Sequence, residues 1–254
     1  MEDQDRVARR ARVRLIGIGV LVLALLAGGA VLLGNAISDG EASAAPPGDR
    51  RSSTPKPNPS GSSRGKMTPA KAKPLRLLKP KSQKNGFSIG FPRTGPGATS
   101  AAVHYLEESP FLDDVRTRQQ LEAITSKDSP TSIDKQVSEV RKLRERVELP
   151  PSGGVPGGLT FTTTVNAIRA TPLYSRRVIQ VWLNYDRYAT KPDGTPATKP
   201  LKDETVDMLL KWEDGDWKIT DEPRYRRMRT FPASYDPDSS ISWQSGWWQV
   251  AHVA

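Results

Sequence analysis

The chain has 254 residues, of which 38 are lysine or arginine and 28 aspartate or glutamate, for a formal net charge of +10. It holds no cysteine and two histidines, which excludes a disulfide framework, a thiol nucleophile, a cysteine-bound zinc or iron–sulfur centre and a histidine-rich metal cluster. Apolar residues make up 36%, few for a single core spread over the whole length.

The charge is uneven. Residues 1–14 carry five arginines against three acids, and residues 35–86 carry eleven basic residues against three acids. The remaining 22 basic and 22 acidic residues all fall in 87–254, so that part is neutral and has no overall field to draw in a polyanion. Nucleic acid is not an expected partner.

Arg6, Arg9, Arg10, Arg12 and Arg14 make a short basic tail, 1–14, expected to be cytoplasmic. Residues 15–33 then run for nineteen positions without a polar side chain. As a helix they span about 28 Å, close to the ~30 Å hydrocarbon core of a bilayer. A transmembrane helix over 15–34 is expected, and the preceding arginines place the N-terminus inside and the bulk of the chain outside the cytoplasm. A cleavable signal peptide is the competing reading, with Ala42-Ser43-Ala44 as its cleavage site. The apolar run exceeds the ~7–15 residues of a signal h-region, and Ala42 lies well beyond its end, so an uncleaved anchor is expected. Ala24 and Gly28, and Ala30 and Gly34, each four apart, offer a close-packing face through which two such helices can form a homo-oligomer.

From 35 to 86 the composition turns to Pro, Ser, Gly and Lys, with eight prolines between Pro46 and Pro80. Too few apolar residues are present to offset the entropy of ordering, and a disordered linker of roughly 40 Å r.m.s. span is expected. Leu75, Leu77 and Leu78 either dock on the domain as a short strand or carry no structure.

An α+β domain is expected over 87–222. Thr94 caps a helix over 96–108, with Ala98, Ala101, Ala102, Tyr105 and Leu106 on one side. A second helix is expected over 111–124, using Leu112, Val115, Leu121 and Ile124, and a third over 131–147, closed by Pro150-Pro151. The period then changes to two. Strands are expected over 159–170; over 176–188 with Ile179, Val181, Leu183 and Tyr185 on one face and Trp182 on the other; over 204–213 with Val206, Met208, Leu210 and Trp212 on one face; and over 216–222. Asp214-Gly215 is a two-residue hairpin signal. About three helices followed by about four strands is an α+β order, read as a curved antiparallel sheet wrapped on helices in a cone-like domain.

This order, ending in Leu209-Leu210-Lys211-Trp212-Glu213-Asp214-Gly215-Asp216-Trp217-Lys218-Ile219, resembles the nuclear transport factor 2-like superfamily, whose last hairpin often places two tryptophans in this way. The layout of short tail, one membrane helix, linker and outer domain is similar to single-pass scaffold subunits of type IV secretion and conjugation machines, and to uncharacterised actinobacterial membrane proteins. The resemblance implies a cone fold over about 87–222. It does not imply one activity, because the superfamily hosts enzymes, ligand binders and interaction modules.

Motifs of catalysis are absent: no G-x-S-x-G, Walker or H-E-x-x-H pattern occurs. Gly95-Pro96-Gly97 reads as a helix N-terminus rather than a phosphate turn, since Pro96 removes an amide donor and no βαβ unit follows. His104, Tyr105, Asp113 and Asp114 are the residues that acid–base work would draw on, but pattern alone assigns them none. The run Arg141–Arg146 reads as a solvated charged face. No catalytic, cofactor or metal residue is assigned.

The C-terminal extension, 223–254, is rich in Arg and Trp. Arg224, Arg226, Arg227 and Arg229 cluster around Tyr225, and Trp243, Trp247 and Trp248 put half of the six tryptophans in the last twelve residues. Either the tail folds back to cover the cone or a sheet edge, or these seven residues form a partner surface. The functional expectation is a non-enzymatic, membrane-anchored extracytoplasmic scaffold of a conjugation or secretion apparatus, bound to other membrane-complex proteins through those seven residues. The alternative is a module holding a lipid or other apolar ligand in the cone cavity. Third comes an isomerase- or hydrolase-type enzyme in the same cavity.

Overall fold

The computed structural model describes residues 66–174, 177–196 and 200–252. The cytoplasmic tail, the expected membrane helix and the linker up to residue 65 lie outside the described residues. Among the described residues no helix is long and apolar enough to cross a membrane.

The fold is α+β. Its described helices are α1 (Gly95–Glu107), α2 (Asp114–Ile124), α3 (Thr131–Arg146), and two short ones in the tail, α4 (Pro223–Arg226) and α5 (Ser240–Gln244). Its strands are β1 (Leu75–Arg76), β2 (Ser82–Lys84), β3 (Phe87–Ile89), β4 (Thr160–Tyr174), β5 (Val178–Thr190), β6 (Leu201–Glu213), β7 (Asp216–Ile219) and β8 (Trp248–Ala251). Six strands form one curled sheet in the order β1-β8-β4-β5-β6-β7, and β2 and β3 form a separate hairpin. The β4 to β7 meander is antiparallel, as expected, but β1 pairs parallel with β8, so the sheet is mixed.

The stretch 66–86, expected as the end of the linker, is folded. Leu75 and Arg76 sit in register with Val250 and Ala251, and the Ala70 amide donates to Pro237 O at 2.8 Å. Asn85 and Gly86, both at positive φ, make the two-residue turn joining β2 to β3. Phe87 of that hairpin is buried with the Arg116 guanidinium 4.9 Å above its ring.

Helix α1 lies in the concave face of the sheet. The Thr94 hydroxyl accepts from the Gly97 amide at 3.0 Å, the expected cap. Ala98, Ala101 and Ala102 are fully buried, and their small side chains let the helix approach β4 and β5 closely. The inward positions of the meander meet them: Val165, Ile168, Ile179, Val181, Leu183, Val206, Met208 and Leu210. A bulge between Val165 and Ala167 keeps Val165 and Ile168 on the same face despite their odd spacing. Trp217 closes the core. It is 1% exposed, donates from Nε1 to Pro92 O at 2.8 Å, and meets Trp212 edge-on at 5.3 Å.

Two expectations fail for local reasons. Helix α2 begins at Asp114, because the Asp113 side chain caps it by accepting from the Arg116 amide at 2.8 Å. Val115 then falls in the first turn and is half exposed rather than buried. In α3 the charged run is not wholly solvated. Arg144 is buried and its guanidinium donates to the carbonyls of Leu112, Pro150 (2.8 Å), Ser152 (3.3 Å) and Gly154 (2.9 Å). It binds together the proline- and glycine-rich loop after the helix, where backbone acceptors have no ladder to join.

A charged clamp joins the α2–α3 connection to β6 and to the start of the tail. Lys211 bonds Asp128, and its ammonium lies 3.2 Å from Glu222 and 3.5 Å from Glu213. Burial raises the Asp128 carboxyl, but hydrogen bonds from Lys211 and Ser129 outweigh it and hold the group far below the carboxylate range. Burial pulls Lys211 down, and the Asp128 and Glu222 carboxylates more than restore it, to well above the ordinary lysine value. The stability from Asp128 is therefore present above about pH 4 and fades as pH falls through its lowered folded value. That from Lys211 is present below about pH 10.4 and fades as pH rises through its raised one. The melting-temperature difference between wild type and Lys211→Met is expected to be constant from pH 5 to about 10 and to shrink outside that range. A difference that does not move with pH would remove the clamp as its source.

Candidate interaction surface

The face of the sheet opposite the helices is polar at its centre, with Arg169, Trp182 and Asp207 in one cross-strand row and Gln180 in the next. Such a row needs partners, and residues 223–247 supply them by crossing the face as a strap. Asp207, 4% exposed, takes the Arg229 guanidinium through both Nε (2.7 Å) and a terminal nitrogen, and Gln180 Nε2 at 2.8 Å. Gln180 Oε1 accepts from the Thr230 amide at 2.9 Å, and Trp182 Nε1 donates to Thr230 O at 2.8 Å. Arg169 donates to Ser245 O at 2.8 Å and Thr230 Oγ1 at 3.0 Å. Tyr225 seals one end of the strap on Val178 and Leu209. At the end of the strap, Trp247 is fully buried, donates to Ala233 O at 2.7 Å and packs at a tilt against Tyr235. The chain then enters β8 and closes the β4 edge through Ala167 and Ile168.

The seven residues expected as a partner surface are thus separated by the fold. Trp247 and Arg229 are spent on internal contacts. Trp243 and Trp248 pack edge to face at 4.7 Å beside the β8 edge and stay partly exposed. Arg226 is half-exposed near Asp221 at 3.4 Å. Arg224 is exposed, paired with Glu222 at 2.5 Å and lying over the Tyr225 ring. Arg227 is exposed, and among the described residues no side-chain partner reaches it.

Around the exposed arginines the strap presents apolar groups that sequence periodicity missed. Phe231 is 76% exposed with its ring 5.6 Å from Trp182, Met228 is 41% exposed, and Tyr174, at the β4 end, is 49% exposed and 6.1 Å from Tyr225. A large aromatic packed on a tryptophan, beside exposed arginines, can dock an apolar and acidic protein surface at little entropic cost.

The acid–base candidates each have a place in the architecture. Tyr105 donates to Trp217 O at 2.7 Å, and burial pushes its phenol far up. Asp113 caps α2, while Asp114 takes Arg141 at 2.8 Å and the Gly153 amide at 2.8 Å. His104 sits 3.3 Å from Glu108 and packs on Phe91. Cavities lie elsewhere among the described residues. One of about 40 Å³ lies among α2, α3 and the β5 end, and one of about 220 Å³ lies under Leu75 and Leu77, against Pro96, Ile168, Ala170 and Trp248.

No protein-family model, no curated protein and no solved structure matches this chain.

Proposed function

We propose that the chain is a membrane-anchored, extracytoplasmic scaffold subunit of a conjugation or secretion apparatus, and that the strap is its docking face. The observation that carries this reading is Phe231, held three-quarters exposed on Trp182 with Met228 and the exposed Arg227 on the same strap. The anchor and linker read from 1–65 would hold this face near the membrane and raise its effective concentration for membrane-complex partners. The cone-like domain, with its paired hairpin tryptophans, resembles nuclear transport factor 2-like modules that serve as interaction domains.

Crosslinking of the full-length protein in native cells, followed by identification of captured proteins, tests this. Replacing Phe231 by Ser and Arg227 by Glu together is expected to reduce capture of other membrane proteins about tenfold or more, with a melting temperature close to wild type. Unchanged capture with an intact fold would move the docking face elsewhere.

The second reading, an apolar-ligand module, has its own observation in the 220 Å³ cavity roofed by Leu75 and Leu77. Native mass spectrometry of the purified full-length protein would reveal a co-purifying apolar molecule there, lost in Ala170→Phe.

A further inference from the structure

The sheet edge that β1 closes carries a charge pattern that neither the core nor the strap uses. From Lys66 to Lys84 there are seven lysines and arginines and no acid, and the next acid in the chain is Glu107. All seven are exposed, and among the described residues none joins an ion pair. The fold fixes this stretch in place. Leu75 and Arg76 lie in register with Val250 and Ala251, and the turn Pro69–Lys71 packs against α5 and β8.

The cations thereby come to lie beside an apolar group. Lys71, in the turn, neighbours the helix that carries Ile241, 63% exposed, and Trp243. Trp243 packs edge to face on Trp248, and Trp248 lines the same cavity as Arg76. Trp248 pairs with the core residue Ile168 and so faces the helix side of the sheet, whereas the strap crosses the other side. The nearest acids in the chain's path, Asp236 and Asp238, flank Pro237, which accepts the Ala70 amide; the seven cations outnumber them.

Exposed lysines on an edge strand serve by themselves to keep other strands from adding to it. That role calls for no tryptophan pair and no exposed isoleucine among them. Indoles that settle at the headgroup level, beside cations that meet anionic headgroups, are the combination that suits a membrane–water boundary. Position favours the same partner. Lys66 is 32 positions past Gly34, the end of the expected membrane helix, and a flexible chain of that length spans roughly 30 Å r.m.s..

We propose that this edge docks on a bilayer containing anionic lipids, with Ile241, Trp243 and Trp248 at the headgroup level and the cations of 66–84 over the headgroup charge. Docking turns the edge toward the membrane and leaves Phe231 on the strap clear for partners. The proposal rests on the membrane anchor of the reading above, and not on the strap.

All six tryptophans lie in 182–248, so in the reconstituted full-length protein their emission reports the domain and not the anchor. The probe is a vesicle of phosphatidylcholine brominated near the glycerol end of its acyl chains, with or without about one third phosphatidylglycerol. With phosphatidylglycerol, quenching of up to about one third of the emission is expected, because two of the six tryptophans reach the headgroups. Without it, or at about 1 M salt, the quenching is expected to disappear. Replacing Lys66, Lys71, Lys73 and Arg76 together by Gln is expected to lower the docked-to-free ratio a hundredfold or more, at about fivefold per charge. The melting temperature of that variant is expected to stay close to wild type, since all four side chains are exposed. Equal quenching in the two vesicles, or quenching that survives the fourfold variant, would overturn the proposal. An emission change with polyglutamate or single-stranded DNA, and none with phosphatidylglycerol, would assign the edge to a macromolecular polyanion and overturn it as well. Retention in the vesicles after an alkaline wash reads the anchor separately. Loss there strikes the anchor, while salt-sensitive quenching by added anionic vesicles would still support the edge.

Discussion

Gly97→Ala is expected to destabilise the domain by about 3 kcal/mol, lowering its melting temperature by about 6–12 °C. A Cβ at Gly97 would lie 1.9 Å from Pro92 O and 2.9 Å from Pro92 C, both backbone atoms that cannot rotate aside. Pro92 O is also the acceptor for Trp217 Nε1 and for the Thr94 amide, each at 2.8 Å. Moving it to admit a methyl group therefore disturbs the seat of a buried tryptophan and the turn that leads into the Thr94 cap. Overpacking of this kind costs about 1–3 kcal/mol, and a strained or lost hydrogen bond about 1 more. The ~1 kcal/mol that alanine gains over glycine within a helix offsets only part of this. Gly95→Ala is the control. Nothing lies within 4 Å of its Cβ position, so it is expected to be neutral or slightly stabilising. Thermal melts of the two full-length variants followed by tryptophan fluorescence would distinguish them. Equal stability of both would show that the Pro92 turn yields freely.

The same turn shows which parts of this fold were legible in the sequence. Helix α1 and the β6–β7 hairpin are written locally, in Thr94 as a cap, in the alanines behind it, and in Asp214-Gly215, both at positive φ in the turn. The strand faces could be read because period-two patterning fixes which side is buried: Ile179, Val181 and Leu183 go inward and Trp182 outward. Asn85-Gly86 was an equally plain hairpin signal, but the surrounding prolines and lysines gave the segment the composition of a linker. Strand β1 is two residues long and exists only because β8, 175 positions later, offers an edge. The four tail arginines were not separable by sequence, since nothing within 224–229 says which of them lies over Asp207.

Breaking that contact is the second large effect expected. Arg229→Met leaves Asp207 buried with Gln180 as its remaining side-chain donor, and Asp207→Leu leaves the Arg229 guanidinium partly buried without its carboxylate. Each single change is expected to cost about 3 kcal/mol, the range for removing one partner of a buried pair. The double variant is expected to lie within about 1 kcal/mol of wild type, because two apolar side chains of similar length fill the space without an orphaned charge. The cost of either single change need not fall on the whole domain. The strap is held by Arg229, Thr230 and Tyr225, whereas the helices and the β4–β7 meander pack on the other face, so the cheapest escape for a lone Asp207 is to lift the strap and admit water. Amide hydrogen exchange in the single variants is therefore expected to rise first at the Thr230 amide, which Gln180 otherwise holds, while the buried amides of β5 keep their protection. If the double variant instead loses the sum of the two single costs, the pair is not coupled, and Asp207 and Arg229 each act through other contacts.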